Sequence, residues 1–222
     1  MWSLFWSPVR FFDTRRHCHP RVFSSLAAPA LCAALQSISV AIFSSRTRPG
    51  LEAALARADL PLTELPAAPL FAAMNILTYP MFFGLLTLAV LALDVVIKDS
   101  GQPTRLTEFT ALSFYTQVPY CVLMIVIAWV WVPDPLRLPV GSSTAELLTE
   151  LQRYRAAMLS GPLLSTGRLL SYYSLLWLAT VLSIALGVVD GLSTQATVAI
   201  AVLLFTVCAA GPIFGAVVRL LP

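Results

Sequence analysis

Few side chains in this sequence have the type and spacing for chemistry. Its two histidines are His17 and His19, and they flank Cys18. A metal needs several donors converging on one point. Adjacent residues rarely aim at one ion, and the rest of a coordination shell is missing. The trio therefore reads as part of an interfacial loop. With no other histidine, a Ser-His or Cys-His nucleophile has no base to work with. The chain has no H-E-x-x-H, no G-x-S-x-G and no glycine loop of the phosphate-cradling kind. No catalytic residue, metal or cofactor is expected from these patterns.

The remaining ionisable candidates are Asp94 and Asp190, which sit at the ends of apolar runs beside Lys98 and Gly191. No Lys, Arg, His or Glu falls in the middle of such a run. Intramembrane charges ordinarily mark ion paths and proton relays. Their scarcity argues against a proton-coupled transporter, an ion pump or a charged permeation path, and leaves a carrier of neutral substrate open.

The apolar runs do contain amides: Gln36 in the first, Asn75 in the second and Gln117 in the third. At the helical rise, Gln36 lies roughly 21 Å from the start of its run. Asn75 enters from the opposite face and lies roughly 8 Å in. In a hydrocarbon core about 30 Å thick these depths coincide, so a Gln36–Asn75 hydrogen bond is geometrically allowed. Such amides serve as glue between helices or as a polar substrate site. Pro80, Pro119 and Pro212 each remove a backbone donor and free a carbonyl four residues earlier, on Ile76, Tyr115 and Cys208. The expected result is three kinks that shape the bundle. Thr116 and Gln117 are the donors near the Tyr115 carbonyl. Gly211 and Gly215 form a G-x-x-x-G that permits close helix contact, within the bundle or in a homodimer.

The elements that carry these residues follow from composition. Of 222 residues, 58% are hydrophobic and 11% charged, against about 25% charged in an ordinary soluble domain. The mean hydropathy is +0.82. That is too little polar surface for a water-facing domain, a disordered chain or a nucleic-acid binder. The net charge of +3 is small and spread along the chain. Lys98 is the single lysine among 14 basic residues, a bias that suits a GC-rich bacterial genome. Cys18, Cys32, Cys121 and Cys208 form no C-x-x-C pair, and three of them lie in apolar runs as small hydrophobes.

A span takes about 20 mostly apolar residues. Five runs meet this, at about 22–43, 70–96, 109–132, 169–189 and 196–221. They lack the alternation of a membrane barrel. The expected fold is an all-α polytopic bundle: an N-terminal interfacial segment, 1–21, then one five-helix transmembrane domain, 22–222. The first run is too long for the core of a secretory signal. Before it, Trp2, Trp6, Phe11 and Phe12 alternate with Arg10, Arg15 and Arg16, a pattern that suits an amphipathic anchor in the lipid headgroup layer. Ser7-Pro8 is a helix start, with a capping hydroxyl and proline at the first position.

Two loops carry helical signals. Leu51–Ala58 lies between Pro49-Gly50 and Pro61 and reads as a short helix. Ser143 and Glu146 form a capping box. After it Leu147, Leu151, Tyr154 and Met158 share one face, and Glu150 and Arg153 the other. That stripe is the candidate partner surface. Two spans separate the loops, so both face one compartment. The basic residues divide six to eight between the two sides, which does not decide orientation. The dense cluster before the first span does, and puts the N-terminus in the cytoplasm.

The order of elements resembles the Yip1 domain family of small five-span membrane proteins. Ser7-Pro8-Val9-Arg10-Phe11-Phe12 is similar to the opening helix of bacterial members. Thr107-Glu108-Phe109 and Tyr115-Thr116-Gln117-Val118-Pro119-Tyr120 are similar to their third span. Leu176-Trp177 through Gly187, with Gly191-Leu192-Ser193, Thr194 and Ala196, is similar to their last hairpin. The aspartate-leucine-tyrosine-glycine-proline motif of eukaryotic members is absent, so the resemblance does not extend to their Rab-GTPase role. It implies a non-enzymatic adaptor or accessory subunit of the bacterial inner membrane. Its partners would be membrane lipids and other integral membrane proteins, such as ABC-type exporter subunits.

Overall fold

The computed structural model describes residues 2–57, 68–98, 100–133, 149–150, 153 and 161–218. Among them the regular structure is helical, with no strand. The order is α1 (Trp2–Trp6), α2 (Pro8–Arg16), α3 (Val22–Ser25), α4 (Ala27–Arg57), α5 (Ala68–Ile97), α6 (Pro103–Ser113), a 3₁₀ turn (Phe114–Gln117), α7 (Val118–Val130), α8 (Pro162–Asp190) and α9 (Thr194–Val218).

Among the described residues, four stretches are long and apolar enough to cross a membrane: Val22–Ala53, Tyr79–Ile97, Pro103–Val130 and Pro162–Asp190. Exposed apolar residues recur along them at helical spacing, as with Met81, Leu85 and Leu88 on α5. A helix apolar on its outward face as well as its inward one suits a lipid surround. The fifth expected span falls on α9, whose described apolar part is Thr194–Ala209.

The first span and the first loop helix are one element. α4 runs through Pro49 to Arg57. One proline removes one ladder bond, and the residues from Leu51 to Arg57 are good helix formers. Arg48 and Glu52, an i,i+4 ion pair, bridge the proline step. The third-loop helix, with its capping box and Leu147, Leu151, Tyr154 and Met158, lies outside the described residues. The Glu150–Arg153 ion pair, at 2.7 Å, is exposed.

The chain forms two compact units, Met1–Ala33 with Thr78–Tyr120 and Ser171–Pro222, and Ala34–Leu77 with Cys121–Leu170. The first has two hydrophobic clusters. One joins Leu86 and Val90 of α5, Phe114, Leu178, Leu182 and Leu186 of α8, and Ile200 and Leu204 of α9. Phe114 is fully buried and meets the rings of Tyr79, Phe82 and Phe83 edge-on, with centroids 5.7–6.4 Å away. The other joins Leu4, Phe11 and Phe12 to Phe109, Leu112, Val181 and Ala185.

In the second unit Ser39 donates to the Met124 carbonyl at 3.2 Å. Arg46 donates to the Trp131 carbonyl and lies 5.8 Å from the Trp129 ring centroid. Phe43 packs on Trp131, with centroids 5.4 Å apart.

Candidate functional site

Three groups of polar side chains join elements of the first unit. The first is built by the N-terminal segment. Ser7 is the N-cap of α2 and Pro8 its first residue, as the pair of residue types requires, but the Ser7 hydroxyl caps nothing. Its backbone carbonyl accepts the Phe11 N–H at 3.0 Å. α2 then turns Phe11 and Phe12 inward, where Phe12 is fully buried and stacks on Phe109 with ring centroids 4.7 Å apart. Arg15, one turn on, donates through Nε to Glu108 Oε1 at 3.2 Å. Arg105, one turn before Glu108 on α6, comes within 3.8 Å of Oε2. It also donates to the Arg15 carbonyl at 2.9 Å. Glu108 is 1% exposed. A buried carboxylate between two guanidiniums is held by charge from both sides.

So part of the N-terminal segment, Leu4, Phe11 and Phe12, packs on the bundle, beside the interfacial aromatics that the sequence suggested as an anchor. Phe11, Phe12 and Arg15 face the bundle, while Trp6 stays 83% exposed on the outer side. The side chain of Trp2 is outside the described residues. An aromatic and arginine pattern fits a headgroup layer or a protein groove equally well, and only the partner decides.

The second place is the end of α8. Gly191 adopts φ +66°, and the Leu192 N–H bonds the Gly187 carbonyl at 3.0 Å. This is a Schellman stop, which needs glycine for its left-handed residue. Two cations complete the cap. Arg16 donates to the Val188 carbonyl at 3.0 Å and Lys98 Nζ to the Asp190 carbonyl at 2.6 Å. Positive charge at a helix C-terminus is favoured by the helix dipole. The hairpin to α9 is tight, since a Cβ built on Gly187 would stand 2.8 Å from Thr197 Oγ1. Beneath the cap lie Asp94 and Asp190, 3% and 1% exposed.

The third place is the kink. Pro119 cannot donate to the Tyr115 carbonyl, and the Val118 N–H takes that carbonyl instead in a 3₁₀ turn. The turn presents Gln117 to α8. Its Nε2 donates to the Ser174 carbonyl at 2.8 Å, and the Ser174 hydroxyl donates to its Oε1 at 2.7 Å. The Thr116 hydroxyl returns to the Ser113 carbonyl at 2.7 Å.

The other sequence candidates are more scattered. Gln36 has a buried Oε1 with no hydrogen-bond partner. The side chain of Asn75 lies outside the described residues, so their pairing stays an expectation. Pro80 lies inside α5 without ending it. Gly211, Pro212 and Gly215 lie in α9, beyond the last described side chain. His17, Cys18 and His19 are exposed. Among the described residues no three His, Cys, Asp or Glu side chains are grouped to hold a metal.

Glu108, Arg105 and Ser174 were not singled out from sequence. An i,i+3 Arg105–Glu108 pair at the mouth of a span was the one local signal for the first two. Comparison of the chain with protein-family models, with curated proteins and with solved structures finds no match.

Proposed function

We propose that this chain is an integral membrane adaptor or accessory subunit that works by contact with other membrane proteins, without turnover of its own. The observation that carries this reading is how its polar groups are used. Glu108, Arg15 and Arg105 bind one another, Arg16 and Lys98 cap a helix, and Gln117 closes on Ser174. Among the described residues these groups knit helices together. The resemblance to bacterial Yip1 domain proteins points the same way, toward an exporter-associated subunit with its N-terminus in the cytoplasm. The stripe Leu147, Leu151, Tyr154 and Met158 is the docking surface in this reading. Mild-detergent purification from the native membrane, followed by identification of what comes with the chain, tests it. A stoichiometric membrane-protein partner is expected.

A second reading, a small carrier of a neutral or lipidic substrate, is favoured by one observation, the unpartnered buried amide oxygen of Gln36. Uptake by vesicles containing the purified chain alone would support that reading and defeat the first.

A further inference from the structure

The N-terminal segment is fastened at the level where apolar stretches begin and end. α3 opens the stretch Val22–Ala53, and Arg21 stands one residue before it. Arg15 holds Glu108, which lies roughly 8 Å into Pro103–Val130 at the helical rise. Arg16 holds the Val188 carbonyl, close to the end of Pro162–Asp190. All these residues belong to one unit. Three span ends therefore meet the segment, and they put α2 at the depth of the lipid headgroups.

α2 has two faces. Phe11, Phe12 and Arg15 are turned to the bundle and are used there. Val9, Arg10, Asp13 and Thr14 are exposed, with Trp6 before them and Phe23 after. The arginines divide in the same way. Arg15 and Arg16 have protein acceptors. Arg10 and Arg21 are exposed, and among the described residues their guanidiniums make neither a hydrogen bond nor an ion pair. Asp13, the single acidic residue of positions 1–25, lies 4.0 Å from Arg16.

An aromatic ring at this depth sits between headgroups and acyl chains. A guanidinium beside it has lipid phosphate oxygens as acceptors, in a geometry its planar fork matches. A zwitterionic headgroup offsets its phosphate with its own ammonium, and an anionic one does not. Unpaired positive charge at the surface therefore selects anionic lipid.

We propose that Trp6, Val9 and Phe23, with Arg10 and Arg21, form a binding surface for anionic phospholipid headgroups of the membrane the chain spans. This goes beyond the adaptor reading and does not rest on it. Arg15 and Arg16 take no part, because the bundle already holds them.

The full-length chain in vesicles of phosphatidylcholine and phosphatidylglycerol tests the surface. Each lipid in turn is given brominated chains, which quench nearby tryptophan, and the difference between the native chain and Trp6→Phe isolates Trp6. The expected result is stronger quenching of Trp6 by the anionic lipid than by the neutral one at equal amounts, weakened by salt. That preference should fall roughly fivefold in Arg10→Gln and roughly fivefold in Arg21→Gln. Arg48→Gln removes the same charge at the far end of α4 and should leave it unchanged. Equal quenching by the two lipids overturns the proposal. So does a preference that Arg10→Gln and Arg21→Gln leave intact, or that Arg48→Gln lowers as much. A Trp6 that neither lipid quenches, and that loses its exposure only in the native complex, would overturn it in favour of a protein partner.

Discussion

Arg15→Met should loosen the N-terminal segment without unfolding the bundle. Arg15 Nε is 3.2 Å from a carboxylate oxygen of Glu108, and the two side chains are 32% and 1% exposed. Removing one partner of a fully buried pair costs about 3–5 kcal/mol, because the other charge is stranded. Two features reduce that here. Arg15 is partly in solvent and already screened. Arg105, at 11% exposure and 3.8 Å from the second oxygen, stays beside the carboxylate. A cost of about 1–2 kcal/mol follows, and a methionine stem keeps most of the packing. At about 1.4 kcal/mol per tenfold, the undocked population rises roughly tenfold. Limited trypsin digestion reads this directly. Arg10 is exposed but lies inside α2, so cleavage there needs the helix to open, and the rate follows the open population. Glu108→Gln should give a similar increase. The double variant should show coupling of about 1–2 kcal/mol, since the two changes remove one contact. Cleavage of Arg15→Met at the native rate, or simple additivity of the two changes, would refute the docking argument.

Phe12→Ala should cost about 3–4 kcal/mol in apparent stability and release the same segment, because Phe12 is fully buried against Phe109. Thermal unfolding followed by tryptophan fluorescence measures it. Ser174→Ala should cost about 0.6–1.7 kcal/mol by the same assay, through loss of its hydrogen bond to Gln117. Gly187→Ala should destabilise by about 1–2 kcal/mol, since the added methyl meets Thr197 Oγ1 at 2.8 Å. Adding Thr197→Ala should restore the loss, and failure to restore it would remove the close approach as the cause. Cys18 is exposed, and with the proposed cytoplasmic N-terminus an impermeant thiol reagent should label it only after cells are permeabilised. Labelling of intact cells would reverse the orientation.

The membrane class was legible because it is written in amounts, few charges and long apolar runs, that no tertiary detail can hide. That Pro119 would free the Tyr115 carbonyl was legible because it depends on one residue's missing backbone donor. The partners were not. Arg15 meets Glu108 across 93 positions of chain, and no local pattern records that distance. Phe11 and Phe12 look the same whether they face lipid or Phe109. Pro49 reads as a break, yet one lost ladder bond does not outweigh the helix formers around it. Gln117 stood out as an amide in an apolar run, but Ser174, its partner, is an ordinary residue of α8.

If the chain acts by contact, as proposed, the mass of its native complex reveals it. Membranes from the native source, extracted in mild detergent, should yield the chain within an assembly larger than itself that contains a second membrane protein. Replacing Leu151 and Tyr154 by serine should shrink that assembly while the melting temperature of the chain stays unchanged. A chain that runs alone, and that by itself carries a neutral solute into vesicles in a way Gln117→Leu abolishes, would contradict the account.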